Sequence, residues 1–428
     1  MTTTFGSYRL RIFWILAIGY MLVYFHRLSP AVMAVDLMEA FAVDGAIIGL
    51  LGSAYFYPYA IMQLPAGLLS DSLGPRKSVT IFLLVAAAGA VLFAGSTGVG
   101  MAIFARVLVG LGVCMVFVPT LKVLSRWFRP REFSMMTAIL NGMGGVGVLV
   151  AAAPLAFLTD WLGWRQTFVV IGFATLLLAG AVWAWVRNRP EEMGLSPPEA
   201  LDGGSAALAP EAIPLLEGMR RVVRSPHFWA IAVWFFFNCG IFFGIGGLWG
   251  GPYLMKVHGM TKPQAGNVLN MVAVGLIVGS PVLSAVSDKV LASRKKVMIL
   301  SSVAVALTMA LLTVFTARLS APLLYLAFFS IGMFSAAIVV IAFTATKELF
   351  PIEIAGTSVG TVNLFPFAGG AVFQPVLGHI IDRFGDGAGA LPVAGYRAAF
   401  LFCTLSALIA LASISFMKET LSELPQEG

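Results

Sequence analysis

The chain has 428 residues, 59% of them hydrophobic and 11% charged, with a formal net charge of +7. A soluble globular protein carries about 25% charged residues, so most of this surface faces something other than water. That excludes a water-soluble domain as the main body of the molecule. A lipid-spanning helix needs about 20 apolar residues, and such stretches recur along the whole chain. In order, spans are predicted at about 12–34, 45–70, 78–96, 100–125, 133–158, 166–186, 227–252, 263–287, 296–316, 321–346, 352–381 and 398–417. The first is too long for a signal-peptide core and has no small-residue cleavage site after it, so it reads as a span. Most connections are short. Residues 187–226 differ: a polar run from Arg187 to Glu192 leads into small and Pro-rich residues up to Pro214, the composition of a linker. The expected organisation is a six-helix bundle (1–186), a cytoplasmic linker (187–226) and a second six-helix bundle with a short tail (227–428), all-α throughout.

Lys and Arg set the orientation. Eighteen of the 27 lie on the side of the termini and six on the other, while Arg27, Arg106 and Lys122 fall within spans. By the positive-inside rule both termini are cytoplasmic, and the basic balance needs no nucleic-acid partner. Short loops and no glycosylation acceptor suit a bacterial inner membrane. The halves repeat: Phe128, Asn141 and Asp160 recur 222 residues later as Phe350, Asn363 and Asp382, and Gly110 recurs as Gly332. Two six-span repeats that rock about a midplane site are a transporter architecture.

The chemistry lies in the charges at membrane depth. Every carboxylate can be placed at a span end or in a loop, whereas Arg27 is deep. An intramembrane charge costs about 2.5–3.5 kcal/mol on an insertion scale, so Arg27 calls for water, carbonyls or a visiting anion. Its guanidinium suits a carboxylate or phosphate, gripped by two parallel hydrogen bonds. Tyr20, Tyr24 and Arg27 share one helix face, as do Tyr55, Tyr59 and Gln63. These tyrosines either line a wet cavity or bond between helices. Asn141, Asn238 and Asn363 sit in mid-span, where asparagine glues helices or meets substrate. The expected substrate set is therefore Arg27, Tyr24, Tyr55, Tyr59, Gln63, Arg106, Asn141, Asn238 and Asn363. Cys114, Cys239 and Cys403 lie in apolar runs without metal or redox spacing, and the four histidines are scattered. No phosphate-binding loop or nucleophile elbow is present. The expectation is a transporter, not an enzyme, with no cofactor or metal and no sign of obligate oligomerisation, hence a monomer.

Two motifs carry a family resemblance. Gly67-Leu68-Leu69-Ser70-Asp71-Ser72-Leu73-Gly74-Pro75-Arg76-Lys77 resembles the signature loop between spans 2 and 3 of the major facilitator superfamily, and Arg106 to Gly112 resembles its span-4 motif. Ser72 and Pro75 depart from the usual basic run. The resemblance implies an inner-gate charge cluster of Asp71 and Arg76 with Arg129 and Arg131. Tyr24-Phe25-His26-Arg27-Leu28-Ser29-Pro30 resembles the first-span motif of the organic anion:cation symporter branch, as does the Arg189–Leu195 linker. That resemblance implies anion binding and coupling by Arg27 and Arg106, driven by protons. The branch's acid before the first-span Arg is His26 here, and its span-4 Glu is Val113. Histidine titrates near neutrality, so coupling is expected through His26 or the substrate's own acid group. The phosphate-ester antiporter branch is also similar, but its second Arg, in span 7, aligns with Phe243. The other alternative, a multidrug or lipid exporter, lacks the cavity carboxylate that cationic drugs call for.

Overall fold

The computed structural model describes residues 2–63, 65–195, 215–385 and 392–421. The described residues are helical, with no strand among them. Among the described residues, eleven helical stretches are long and apolar enough to cross a membrane: Gly6–Leu28, Gly45–Met62, Pro75–Ala94, Val99–Trp127, Ala153–Trp185, Pro226–Lys256, Lys262–Val290, Arg294–Val314, Ala321–Glu348, Glu353–Asp382 and Val393–Ser415. The twelfth span is span 5, Pro130–Val150, which pauses at Ala151-Ala152 and continues into the start of Ala153–Trp185. Inside that last helix Gly163 takes φ 77° and ψ 157°, a conformation that glycine adopts readily. The chain reverses there, and span 6 begins at Trp164. The predicted loop between spans 5 and 6 is thus a single glycine turn. The fold is all-α, with twelve spans in two pseudo-symmetric groups of six.

The repeat has a packing cause. A Cβ on Gly110 of span 4 would stand 2.2 Å from the Tyr55 carbonyl of span 2, and one on Gly332 of span 10 would stand 2.1 Å from the Val272 carbonyl of span 8. Gly147 of span 5 and Gly369 of span 11, again 222 apart, press the same way on Met21 O of span 1 and Phe236 O of span 7, each at 2.2 Å. Without a hydrophobic drive between helices in lipid, association rests on such close backbone approach.

Proline interrupts several spans, and the carbonyls it frees find other donors. Pro375 cannot bond the Ala371 carbonyl, which instead accepts Tyr57 Oη from span 2 at 3.3 Å. Span 7 widens to a π-helical turn over Phe242–Trp249, and span 10 over Gly332–Ala337. Such widened turns concentrate at functional sites.

The two halves are locked together on the face away from the termini. Asp382 Oδ1 and Oδ2, closing span 11, accept the amides of Gly45 (2.9 Å) and Ala46 (2.7 Å) at the start of span 2. Lys262 of span 8 bonds Asp36, which follows span 1, at 2.9 and 2.7 Å. Gly251 of span 7 lies so close to the Ala31 carbonyl that a Cβ would be 1.7 Å away. On the termini face the ion pairs seen among the described residues run within a half: Arg9–Glu132 and Lys122–Asp71 in the first, Arg294 with Asp288 and Glu348 in the second. The structure is therefore the state closed on the face opposite the termini.

Candidate functional site

The site begins at a break in span 1. Its first helix ends at Leu28, and Pro30 starts the next. Pro30 has no N–H, so the His26 carbonyl loses its helical donor. Two side chains take it: Ser29 Oγ at 3.3 Å and Arg106 Nη1 of span 4 at 3.0 Å. Arg106 is 1% exposed, lies 5.3 Å over the Tyr55 ring, and keeps Nε and Nη2 buried without partners. It clamps span 4 to the broken end of span 1.

Arg27 sits in the last turn of the same helix, where the carbonyl end of the dipole favours a cation. It is 4% exposed. Four rings surround its guanidinium: Tyr24 at 4.6 Å, Tyr59 at 4.9 Å, Phe367 at 5.0 Å and Phe243 at 5.6 Å. Tyr24 and Tyr59 belong to the first half, Phe243 and Phe367 to the second, so the cation stands on the seam between the repeats. Each ring face offers about 0.5–2 kcal/mol, but rings do not neutralise a charge. Nε is buried without a hydrogen-bond partner, and among the described residues no carboxylate pairs with Arg27. A monoanion with two acceptor oxygens would supply what the cage lacks.

One turn toward the termini the seam is polar. Gln63 Oε1 accepts Asn363 Nδ2 at 2.7 Å, directly below the Tyr59–Phe367 ring pair, whose centroids are 4.4 Å apart. Gln63 Nε2 also donates to the Tyr59 carbonyl at 3.3 Å. The structure thus brings together Arg27, Tyr24 and Tyr59, with Gln63 and Asn363 as the next rung.

Tyr55 stacks on Tyr59 at 5.7 Å but spends its hydroxyl on the Val23 carbonyl at 3.2 Å. Asn141 is exposed, one turn from Gly145, which faces Ile277 of span 8, so it lies on the side of span 5 that faces the second half. Asn238 is elsewhere: its Nδ2 donates to Ser335 O, and Ser335 Oγ donates to Asn238 O, both at 2.8 Å. That reciprocal clasp ties span 7 to span 10. His26 is also turned from the cage. It is wholly buried, with its ring beside Phe25 and Phe168 at 5.5 and 6.4 Å, and neither ring nitrogen has a partner.

Gln374 of span 11 was not singled out in the sequence. It is fully buried, and its Nε2 donates to Phe243 O at 2.9 Å. Its Oε1 is buried without a partner, and a Cβ on Gly52 would lie 2.5 Å from it. A glutamine inside an apolar span was the available signal.

At the termini face Asp71 pairs with Lys122, a lysine the sequence places within span 4. Arg76 Nε and Nη2 donate to the Trp183 carbonyl at 2.8 and 2.5 Å, with the guanidinium 4.4 Å over the Trp183 ring. The Arg129 amide donates to Glu132 Oε2 at 3.0 Å. The side chain of Arg131 lies outside the described ones. The second half has its own cluster, which the sequence left unassigned: Arg294 bonds Asp288 and Glu348, while Glu419 accepts the Arg294 amide at 2.9 Å.

The sequence profile of the Major Facilitator Superfamily matches residues 16–251 and 242–427. A probable hexose phosphate transport protein of Chlamydia pneumoniae is 23% identical over 423 residues, covering 94% of this chain and 90% of that protein. A probable galactarate/D-glucarate transporter of Escherichia coli (strain K12) is 22% identical over 433 residues, covering 94% of both. Among solved structures, a bacterial homologue of the human lysosomal transporter Spinster, inward-facing and unoccupied, has a TM-score of 0.76 at 19% identity, covering 95% of this chain and 96% of that one. A D-xylose-proton symporter has a TM-score of 0.75 at 14% identity, with 96% and 97% covered. The structural likenesses speak to fold; the profile, matching nearly the whole chain, establishes descent. The chain belongs to the Major Facilitator Superfamily, a family of membrane transporters.

Proposed function

We propose that the protein carries a small organic anion of carboxylate type across the cell's inner membrane by alternating access, driven by protons, with both termini in the cytoplasm. The two six-span bundles (1–186 and 227–428) rock about the seam, and the described state is closed on the face away from the cytoplasm, with Gln63 and Asn363 still bonded across the halves on the cytoplasmic side of Arg27. Arg27 grips the carboxylate, Tyr24 and Tyr59 wall it, and Gln63 and Asn363 part as the substrate enters. The observation that carries this reading is the guanidinium of Arg27 on the seam between the repeats, with no carboxylate partner among the described residues. A relative named for sugar-acid transport supports it.

Phosphate esters are the second reading, favoured by the relative named for hexose phosphate. Against it, Phe243 contributes a ring to the cage and no second charge, and a dianion bound by one cation keeps an excess charge in low dielectric.

Purified protein in proteoliposomes should exchange labelled substrate with monocarboxylates or sugar acids, and not with neutral sugars. Counterflow with phosphate esters alone would select the second reading, and counterflow with neutral sugars would overturn both. The proton is assigned to His26 or to the substrate's own acid. If His26 carries it, His26→Gln keeps counterflow but loses accumulation driven by a pH gradient. Full pH-driven accumulation in that variant leaves only the substrate-borne proton.

A further inference from the structure

Just before span 7 the chain forms a short helix, Leu215–Val223, where the sequence suggested only a polar linker. Its Gly218 and Val222 are buried, with Gly218 seated on Thr357 and Ile354 at the start of span 11. Leu216 and Val223, seven residues apart and so on one face, are 80% and 38% exposed. Trp229, in the first turn of span 7, is 45% exposed and donates its indole N–H to the Val223 carbonyl at 2.8 Å. The three make one apolar strip at the mouth of a membrane span. Arg220 and Arg224 border it and have no ion partner among the described residues, whereas Arg221 is taken by Glu217 at 2.5 Å.

An apolar edge flanked by free arginines, with a tryptophan at the end of a span, matches the layering of an anionic leaflet: acyl chains, indole at the interface, phosphate above. A second copy of the same face would bring Arg220 and Arg224 against their like. We propose that this linker helix lies in the membrane interface and binds anionic phospholipid through Arg220 and Arg224, with Leu216, Val223 and Trp229 set among the upper acyl carbons. Because Gly218 rests on span 11, headgroup binding there bears directly on the helix that carries Asn363 and Phe367.

The test needs no substrate. The full chain carries an environment-sensitive fluorophore at Leu216→Cys or, separately, at Glu217→Cys. The native cysteines Cys114, Cys239 and Cys403 are buried and stay unlabelled. Vesicles are phosphatidylcholine with or without phosphatidylglycerol. The fluorophore at position 216 should be blue-shifted and quenched by nitroxide lipids, that at 217 should not, and the quenching should strengthen with phosphatidylglycerol. Arg220→Gln with Arg224→Gln should weaken the phosphatidylglycerol preference about fivefold for each arginine. Water-like emission at 216 in both lipid mixtures overturns the proposal. So does a blue shift that nitroxide lipids fail to quench, which would point to a protein partner or a second copy.

Discussion

Arg27→Ala is expected to abolish substrate-dependent stabilisation and transport while leaving the substrate-free protein folded and close to the wild type in stability. A bidentate, charge-assisted grip on a carboxylate contributes about 3 kcal/mol, or roughly 100-fold in Kd. Arg27→Lys keeps the charge but loses the planar fork, so roughly tenfold weaker binding is expected. The stability half follows from the cage. The side chain is 4% exposed with an unpartnered Nε. Removing it relieves a cost of about 2.5–3.5 kcal/mol on the insertion scale. That relief is similar in size to four lost ring contacts at about 0.5–1 kcal/mol each, the range for weakly desolvated cation–ring pairs. Thermal unfolding with and without substrate reads both quantities. An alanine variant that melts far below wild type without substrate, yet still binds the anion at wild-type affinity, would mean that Arg27 is structural.

Asp382→Asn is expected to open the face away from the termini. Asp382 holds the Gly45 and Ala46 amides across the two halves, at a helix start where orphan N–H groups and the dipole favour an anion. Hydrogen bonds to a charged group are worth about 1.5–3 kcal/mol, and asparagine keeps one neutral acceptor. The equilibrium between the two states should shift by about tenfold or more. Spin labels at Glu39→Cys and Lys256→Cys, both exposed on that face, should gain a longer-distance population in the variant. An unchanged distance distribution would show that Lys262–Asp36 and the Gly251–Ala31 contact hold the closure without Asp382.

Much of this protein is written locally. Lipid demands about 20 apolar residues per crossing, so the spans follow from hydropathy, although hydropathy ran the first one straight through Pro30, where the helix breaks. The repeated glycines were legible too: a backbone contact tolerates no Cβ, so Gly110 and Gly332 keep their spacing in both halves. Arg27 stood out because a charge at that depth needs a partner and the sequence offered none nearby.

Partners across the fold were not legible. Helices that are apolar on every side carry little periodicity, so their rotation is set by packing and not by a polar face. That rotation turns His26 toward Phe168 while its neighbour Arg27 reaches the seam. It also closes Phe243 and Phe367 around the cation and gives Asn238 to Ser335. Arg106 reads in the sequence as a second anion ligand, yet the structure spends one of its nitrogens on the His26 carbonyl that Pro30 frees. The sequence by itself determined the spans, the repeat and the deep charge of Arg27, because each follows from the cost of polar groups in lipid. Only the tertiary structure decided which side chains share the seam, because that depends on how twelve nearly uniform cylinders rotate against one another.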